Sequence, residues 1–218
     1  MTTKTLKTLQ TRSIALLLSL AFTLSLHTQD TIPTVKIGNQ VWMVKNLDVV
    51  TFRNGDTIPE AQTFEEWRKA SEEGKPAWCY QANLPEYGQK YGKLYNWYAV
   101  NDPRGLAPKG FHVPTQAEWD SLVSYLGGEE IAGKKLKSTE GWREEGNGTN
   151  ETGFSGLPGG CRFGSGDFHG VGGDAYFWSA TEDATSFAWS FFLYFNFDSV
   201  RRSYDSRGVG LSVRCLRD

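Results

Sequence analysis

The residues able to do chemistry are few in this chain, and their spacing excludes most of what they could do. His112 and His169 each lack a second ligand at metal-site spacing. His112, set between Phe111 and Val113, therefore reads as a hydrogen-bonded structural histidine. Cys79, Cys161 and Cys215 contain no C-x-x-C pair, so the spacing of zinc ribbons and thioredoxin-like sites is missing. Glu118 is accounted for by helix capping and Glu182 by a structural hydrogen bond near a strand end. No Gly-x-Ser-x-Gly elbow occurs, and Gly164 to Gly170 lacks the strand-to-helix setting that a nucleophile needs. Asp167 and Asp174, with the carbonyls of Gly170 to Gly173, are oxygen donors of the kind calcium takes, though not at EF-hand spacing. Calcium is thus the one cofactor that composition leaves open, and no other is indicated.

What remains is recognition. The glycine-rich stretch from Arg162 to Tyr176 offers three rings, Phe163, Phe168 and Tyr176, beside the polar Arg162, Asp167 and Asp174. Aromatic faces flanked by polar groups can stack on a sugar or anchor a protein partner. The competing reading is that all three rings fold inward and the stretch is only a crossover. Asn147-Gly148-Thr149 and Asn150-Glu151-Thr152 match the glycosylation pattern, which is short enough to arise by chance.

The elements that must position these residues are written locally. Thr115 followed by Glu118 is a capping box, so a helix starts at Gln116. Trp119, Leu122, Val123 and Leu126 share one face, and Gly127-Gly128 supplies the left-handed stop. A second capping box, Thr63 and Glu66, starts a helix running to Ala70, with Phe64 and Trp67 as its buried side. Val35 to Ile37 and Val41 to Val44 flank Gly38-Asn39, a hairpin turn pair. Trp78 to Tyr80 reads as a short strand, Tyr91 to Val100 as a helix, and Ile131 to Leu136 as a smaller helical piece. Gly153 to Gly173 reads as a long structured loop. Tyr176 to Ala180, Phe187 to Asn196 and Val200 to Tyr204 then form an antiparallel meander, and Val209 to Cys215 alternates as a further strand.

Length and composition bound the class. With 218 residues, 39% hydrophobic and 14% aromatic, the chain can bury one substantial core, and its 24 glycines point to a loop-rich fold. Lys4, Lys7 and Arg12 precede an apolar run from Ile14 to Leu26, which is short for a membrane span and suited to a signal peptide covering residues 1–29. Export to the periplasm, cell surface or medium is the expectation, with a mature domain at 30–218 that has no membrane span. Removing three of the 23 basic residues leaves 20 against 25 acidic, a net charge of −5. Nucleic-acid binding is excluded, since no basic cluster is present.

Several longer motifs carry a resemblance: Tyr91 to Trp97 (YGKLYNW), Leu106 to Thr115 (LAPKGFHVPT), Gly153 to Gly160 (GFSGLPGG), Phe177 to Glu182 (FWSATE) and Ser212 to Cys215 (SVRC). Together they resemble the Fibrobacter succinogenes major paralogous domain, a family of exported bacterial proteins, over Val35 to Asp218. Its motif layout is similar to that of formylglycine-generating-enzyme-like domains of C-type-lectin-like architecture. The resemblance implies an α+β fold, with two helices on a twisted antiparallel sheet and a long irregular loop region. It also implies that Cys79 and Cys215 are the recurrent, disulfide-forming cysteines and that Cys161 is idiosyncratic. The enzyme's copper-binding cysteine pair and the calcium motifs of true C-type lectins have no match here. The functional expectation is therefore a non-catalytic envelope domain binding glycan or protein, the alternative being an oxidase of the formylglycine-generating type.

Overall fold

The computed structural model describes residues 32–184 and 186–218. The expected signal peptide lies outside these residues. In chain order the elements are β1 (Thr34–Ile37), β2 (Gln40–Met43), α1 (Phe64–Glu72), β3 (Trp78–Cys79), α2 (Pro85–Tyr91), β4 (Leu94–Tyr95), α3 (Trp97–Val100) and β5 (Phe111–His112). There follow α4 (Gln116–Tyr125), α5 (Glu129–Leu136), β6 (Cys161–Arg162), β7 (Phe168–His169), β8 (Asp174–Ala184), β9 (Phe187–Tyr194), β10 (Val200–Ser206) and β11 (Leu216–Arg217). The fold mixes α and β, its strands shared among several small antiparallel sheets. One has the order β1-β2-β11-β5, another β10-β9-β8, and β3-β4 and β6-β7 are isolated pairs.

Local signals set the best-defined ends. In both α1 and α4 the capping threonine, Thr63 or Thr115, accepts the backbone N–H of the glutamate three residues on, whose carboxylate returns to the cap's own N–H. Gly127, at φ +100°, ends α4 in a backbone conformation that costs a side-chain-bearing residue energy. Pro85 opens α2 at a first-turn position where its missing N–H is no loss.

The inner face of α4 meets the β8–β10 sheet in an aromatic core. Trp119 lies 4.7 Å from Trp42, 5.1 Å from Phe191 and 5.6 Å from Phe177, ring centre to ring centre. Such pairs add to area burial when tilted or offset, by about 0.5–1.5 kcal/mol each. A second cluster gathers Phe52, Trp78, Tyr95, Trp97 and Trp178, and a third, smaller one holds Trp67, Cys79 and Leu94.

Three expectations need correction. Phe64 is 44% exposed, because the buried stripe of α1 is only as wide as Trp67. Tyr91 to Val100 is not one helix: α2 ends at Tyr91, Gly92 (φ +73°) turns the chain, and Leu94–Tyr95 bonds as a strand to Trp78–Cys79 before the short α3. Val209 to Cys215 joins no single sheet. Leu211 exchanges hydrogen bonds with Tyr95 and Gly210 with Arg162, Ser212 bonds Tyr176 and Trp178, and Val213 and Cys215 accept from Leu47 and Met43. Its alternation reflects burial of a segment threaded between elements.

Candidate functional site

The register of the meander decides which side chains meet. Directly opposite residues in antiparallel strands share a face, and here Trp178 opposes Ser190, Tyr176 opposes Phe192 and Ala188 opposes Asp205. One face, with Ala175, Phe177, Phe191, Leu193 and Val200, enters the aromatic core. The other carries Asp174, Tyr176, Ser190, Phe192 and Asp205.

On that second face the groups are coupled. The Tyr176 hydroxyl donates to Asp174 Oδ2 at 3.3 Å, and Ser190 Oγ donates to Asp205 Oδ2 at 2.5 Å. The Tyr176 ring lies tilted against Phe192 at 5.6 Å. Asp174 is buried, and its Oδ1 has no hydrogen-bond partner among the described residues. Burial raises the Asp174 carboxyl above its ordinary range, against the opposing pull of the Tyr176 hydroxyl and the charges of Arg143 and His169. Burial raises Asp205 as well, the Ser190 hydroxyl opposing it. Tyr176 is raised too, by burial first and then by the Asp174 charge. The loop before β8 is shaped to this carboxylate: a Cβ on Gly170 (φ +77°) would lie 2.4 Å from Asp174 Oδ2.

The structure therefore divides the residues singled out from the sequence. Asp174 and Tyr176 stand together in the cluster. Phe163 is 42% exposed, its ring 4.7 Å from that of His169. Asp167 sits exposed between β6 and β7, where it accepts from Ser165. Arg162 is not an accessible polar group: it is 1% exposed, and its guanidinium donates to the carbonyls of Gly166, Ala61 and Thr63. Phe168 is half-buried with its ring 4.6 Å from that guanidinium, so it is support and not a loop-tip ring. Ser190, Phe192 and Asp205 were missed by sequence reasoning. The only signal that could have found them was strand register, which the alternation alone leaves open by two residues.

The cysteines are corrected as well. Cys79, Cys161 and Cys215 are all free and buried, so the structure holds no Cys79–Cys215 bridge. Cys79 belongs to the small cluster around Trp67, whereas Cys215 lies in the cluster of Trp78 and Trp178. Burial pushes each thiol up to about 12, so none is a thiolate near neutral pH. Among the described residues no group of three or more His, Cys, Asp or Glu side chains is placed to hold a metal ion. None of the described helices is long and apolar enough to cross a membrane.

His112 is held as expected of a structural histidine. Its Nδ1 lies 2.9 Å from Asp218 and its Nε2 2.9 Å from Glu118, tying β5 to the first turn of α4 and to the chain's last residue. Glu182 likewise has structural partners, accepting from Asn101 and pairing with Arg207.

No curated protein and no solved structure matches the chain. The family model for the Fibrobacter succinogenes major domain matches residues 35–217, spanning both the capping boxes and the whole meander. This chain belongs to the Fibrobacter succinogenes major domain family.

Proposed function

We propose that this chain is an exported, non-catalytic recognition domain of the cell envelope that binds glycan at the Asp174 end of β8 and β9, where Tyr176 and Phe192 are half-buried while Trp178, Ala188 and Ser190 of the same face are buried. The observation carrying the reading is the pairing of a half-buried ring with a buried, under-bonded carboxylate: Tyr176 beside Phe192, and Asp174 with Oδ1 unpartnered. A sugar presents apolar C–H faces for the rings and hydroxyls for acceptor oxygens, and Asp174 Oδ1, closed to solvent, would have to be uncovered for a ligand hydroxyl to satisfy it. Asp205, half-buried, lies on the same face and accepts from the buried Ser190. The C-type-lectin-like architecture belongs to this reading and is supported by the packing of α4 and α5 on the three-stranded sheet.

The oxidase alternative needs two thiolates meeting at a soft metal. Burial keeps all three thiols protonated, and Cys79 lies in a different cluster from Cys161 and Cys215, which weighs against it.

Titration of the purified domain against a panel of envelope oligosaccharides tests the proposal. Tyr176→Ala should weaken binding by about 1–3 kcal/mol, as truncation of an interface hot spot does. Phe163→Ala, at the exposed ring beside His169, should have a smaller effect. Unchanged affinity in Tyr176→Ala would remove this face as the binding site.

A further inference from the structure

A second site is built around Arg214. Its side chain is 1% exposed, and no carboxylate among the described residues neutralises it. Nε and Nη2 both donate to Asn46 Oδ1, at 3.0 and 2.7 Å, and Nη1 donates to the carbonyls of Met43 and Phe154. A guanidinium has five N–H groups, and these bonds use four, leaving one Nη2 hydrogen without an acceptor among the described residues. Burying a cation without a counter-charge is costly, and burial pulls the Arg214 pKa down to about 9.

Arg214, though buried, borders a surface cleft. The cleft, of about 350 Å³, lies between the segment after β2, the end of α2 and the loop at Ser155, with Arg214 beneath it. Lys45 and Lys90 stand on the wall of this cleft, both exposed, and neither forms an ion pair among the described residues. The one acid there, Asp48, is already matched by the buried Lys93. The cleft is therefore positive at floor and rim. A separate observation marks the same place. Ser155 holds φ +54°, a left-handed conformation rare for a residue with a side chain, and is kept there by reciprocal bonds with Asn150. Backbone strain of this kind concentrates at binding sites. The Ser155 hydroxyl accepts from Asn150, which leaves its own proton to donate.

We propose that this cleft binds an oxyanion, a carboxylate or phosphate group on a small polar molecule, with Arg214 as its buried floor, Lys45 and Lys90 as its rim and Ser155 as a neutral donor. The anion supplies the counter-charge that the fold withholds, and guanidinium pairs with both anion types through charge-assisted bonds. The site shares no residue with the glycan face and does not depend on it.

The two sources of oxyanion are separated by titrating the purified chain with inorganic phosphate and with glucuronate at constant ionic strength, glucose serving as the uncharged control. Removing Arg214 would expose Asn46 and two carbonyls to an unfilled core, so the variants are placed at the rim. Lys45→Glu with Lys90→Glu should weaken anion binding at least tenfold and leave the melting temperature unchanged. Ser155→Gly, which keeps the backbone conformation and removes the hydroxyl, should weaken it several-fold. Tighter binding of phosphate points to a phosphorylated ligand, and tighter binding of glucuronate to a sugar acid. Binding of neither anion, binding of glucose as tight as that of glucuronate, or anion affinity in the lysine double variant equal to that of the parent would overturn the proposal.

Discussion

Asn46 Oδ1 receives two N–H groups of the Arg214 guanidinium, standing as a neutral amide where a buried arginine ordinarily meets a carboxylate. The same side chain turns its Nδ2 to the carbonyl of Tyr91 at 2.8 Å, a bond that a carboxylate could not make. One residue thus joins the segment after β2, the end of α2 and the buried cation. Asn46→Ala strips two donors of their acceptor and one carbonyl of its donor. Unpaired buried groups cost about 1–3 kcal/mol each, so a loss of roughly 3 kcal/mol or more is expected, read as a lowered denaturant midpoint at unchanged slope. A loss below 1 kcal/mol would mean that water replaces the amide.

Thr115→Ala should cost about 1 kcal/mol, the usual value of an N-cap side chain. The threonine accepts the Glu118 N–H at 3.3 Å and donates its own hydroxyl to the Glu118 carboxylate at 2.9 Å. Thr63→Ala, in the matching box of α1, should lose a similar amount. Urea titrations of the two variants check this, and no shift for Thr115→Ala would show that the bond from Gln116 to Thr181 suffices to fix the start of α4.

These two caps were legible in the sequence because every group involved lies within three residues, as were the Gly38-Asn39 hairpin and the meander. Arg162 was not. Its carbonyl acceptors on Ala61 and Thr63 lie 101 and 99 residues away, so a polar residue in a glycine-rich stretch looked accessible when it was an internal tie. The glycan face was half legible for the same reason: Asp174 and Tyr176 are two residues apart on one strand, whereas Asp205 reaches them through the pairing of β10 with β9. Phe64 failed in the opposite direction, an apolar residue on a helix whose only buried side chain is Trp67.

The pH dependence of stability should carry a histidine signature. Burial pulls the His112 pKa down, but its hydrogen bonds to Asp218 and Glu118 outweigh this and leave it above the ordinary 6.5. A raised folded-state value means that protonated His112 stabilises the fold fully below pH 6.5, and that this contribution is lost as pH rises through the folded value. His112→Gln should therefore flatten the decline of melting temperature on the alkaline side of pH 6.5. A profile parallel to that of the parent would mean that the two carboxylates do not act on the imidazole.

Thiol titration separates the free-cysteine structure from the expected bridge. All three cysteines are free and buried, so the described domain should release three titratable thiols in denaturant without reductant and essentially none while folded. Cys79→Ser and Cys215→Ser should then destabilise by what a hydroxyl in an apolar pocket costs, about 1–3 kcal/mol. One thiol, remaining at position 161, would restore the Cys79–Cys215 pairing.

Asp174→Asn tests whether the buried carboxylate is there for stability or for a ligand. Burial raises its pKa from 3.8, so the ionised form is disfavoured in the fold, and stability falls as pH climbs from 3.8 through the folded value. Above the folded value the fold carries that penalty in full. Asparagine keeps an oxygen for the Tyr176 hydroxyl and has no charge to bury, so the variant should melt higher than the parent at pH 7, with the difference vanishing at acid pH. A carboxylate kept at a cost to stability is the pattern of a functional group, and the same variant should bind the glycan at least tenfold more weakly. The two measurements together discriminate the cases. Higher stability with weaker binding assigns Asp174 to the ligand, whereas lower stability with unchanged binding makes it a structural partner of Tyr176 and removes the central acceptor from the proposed face.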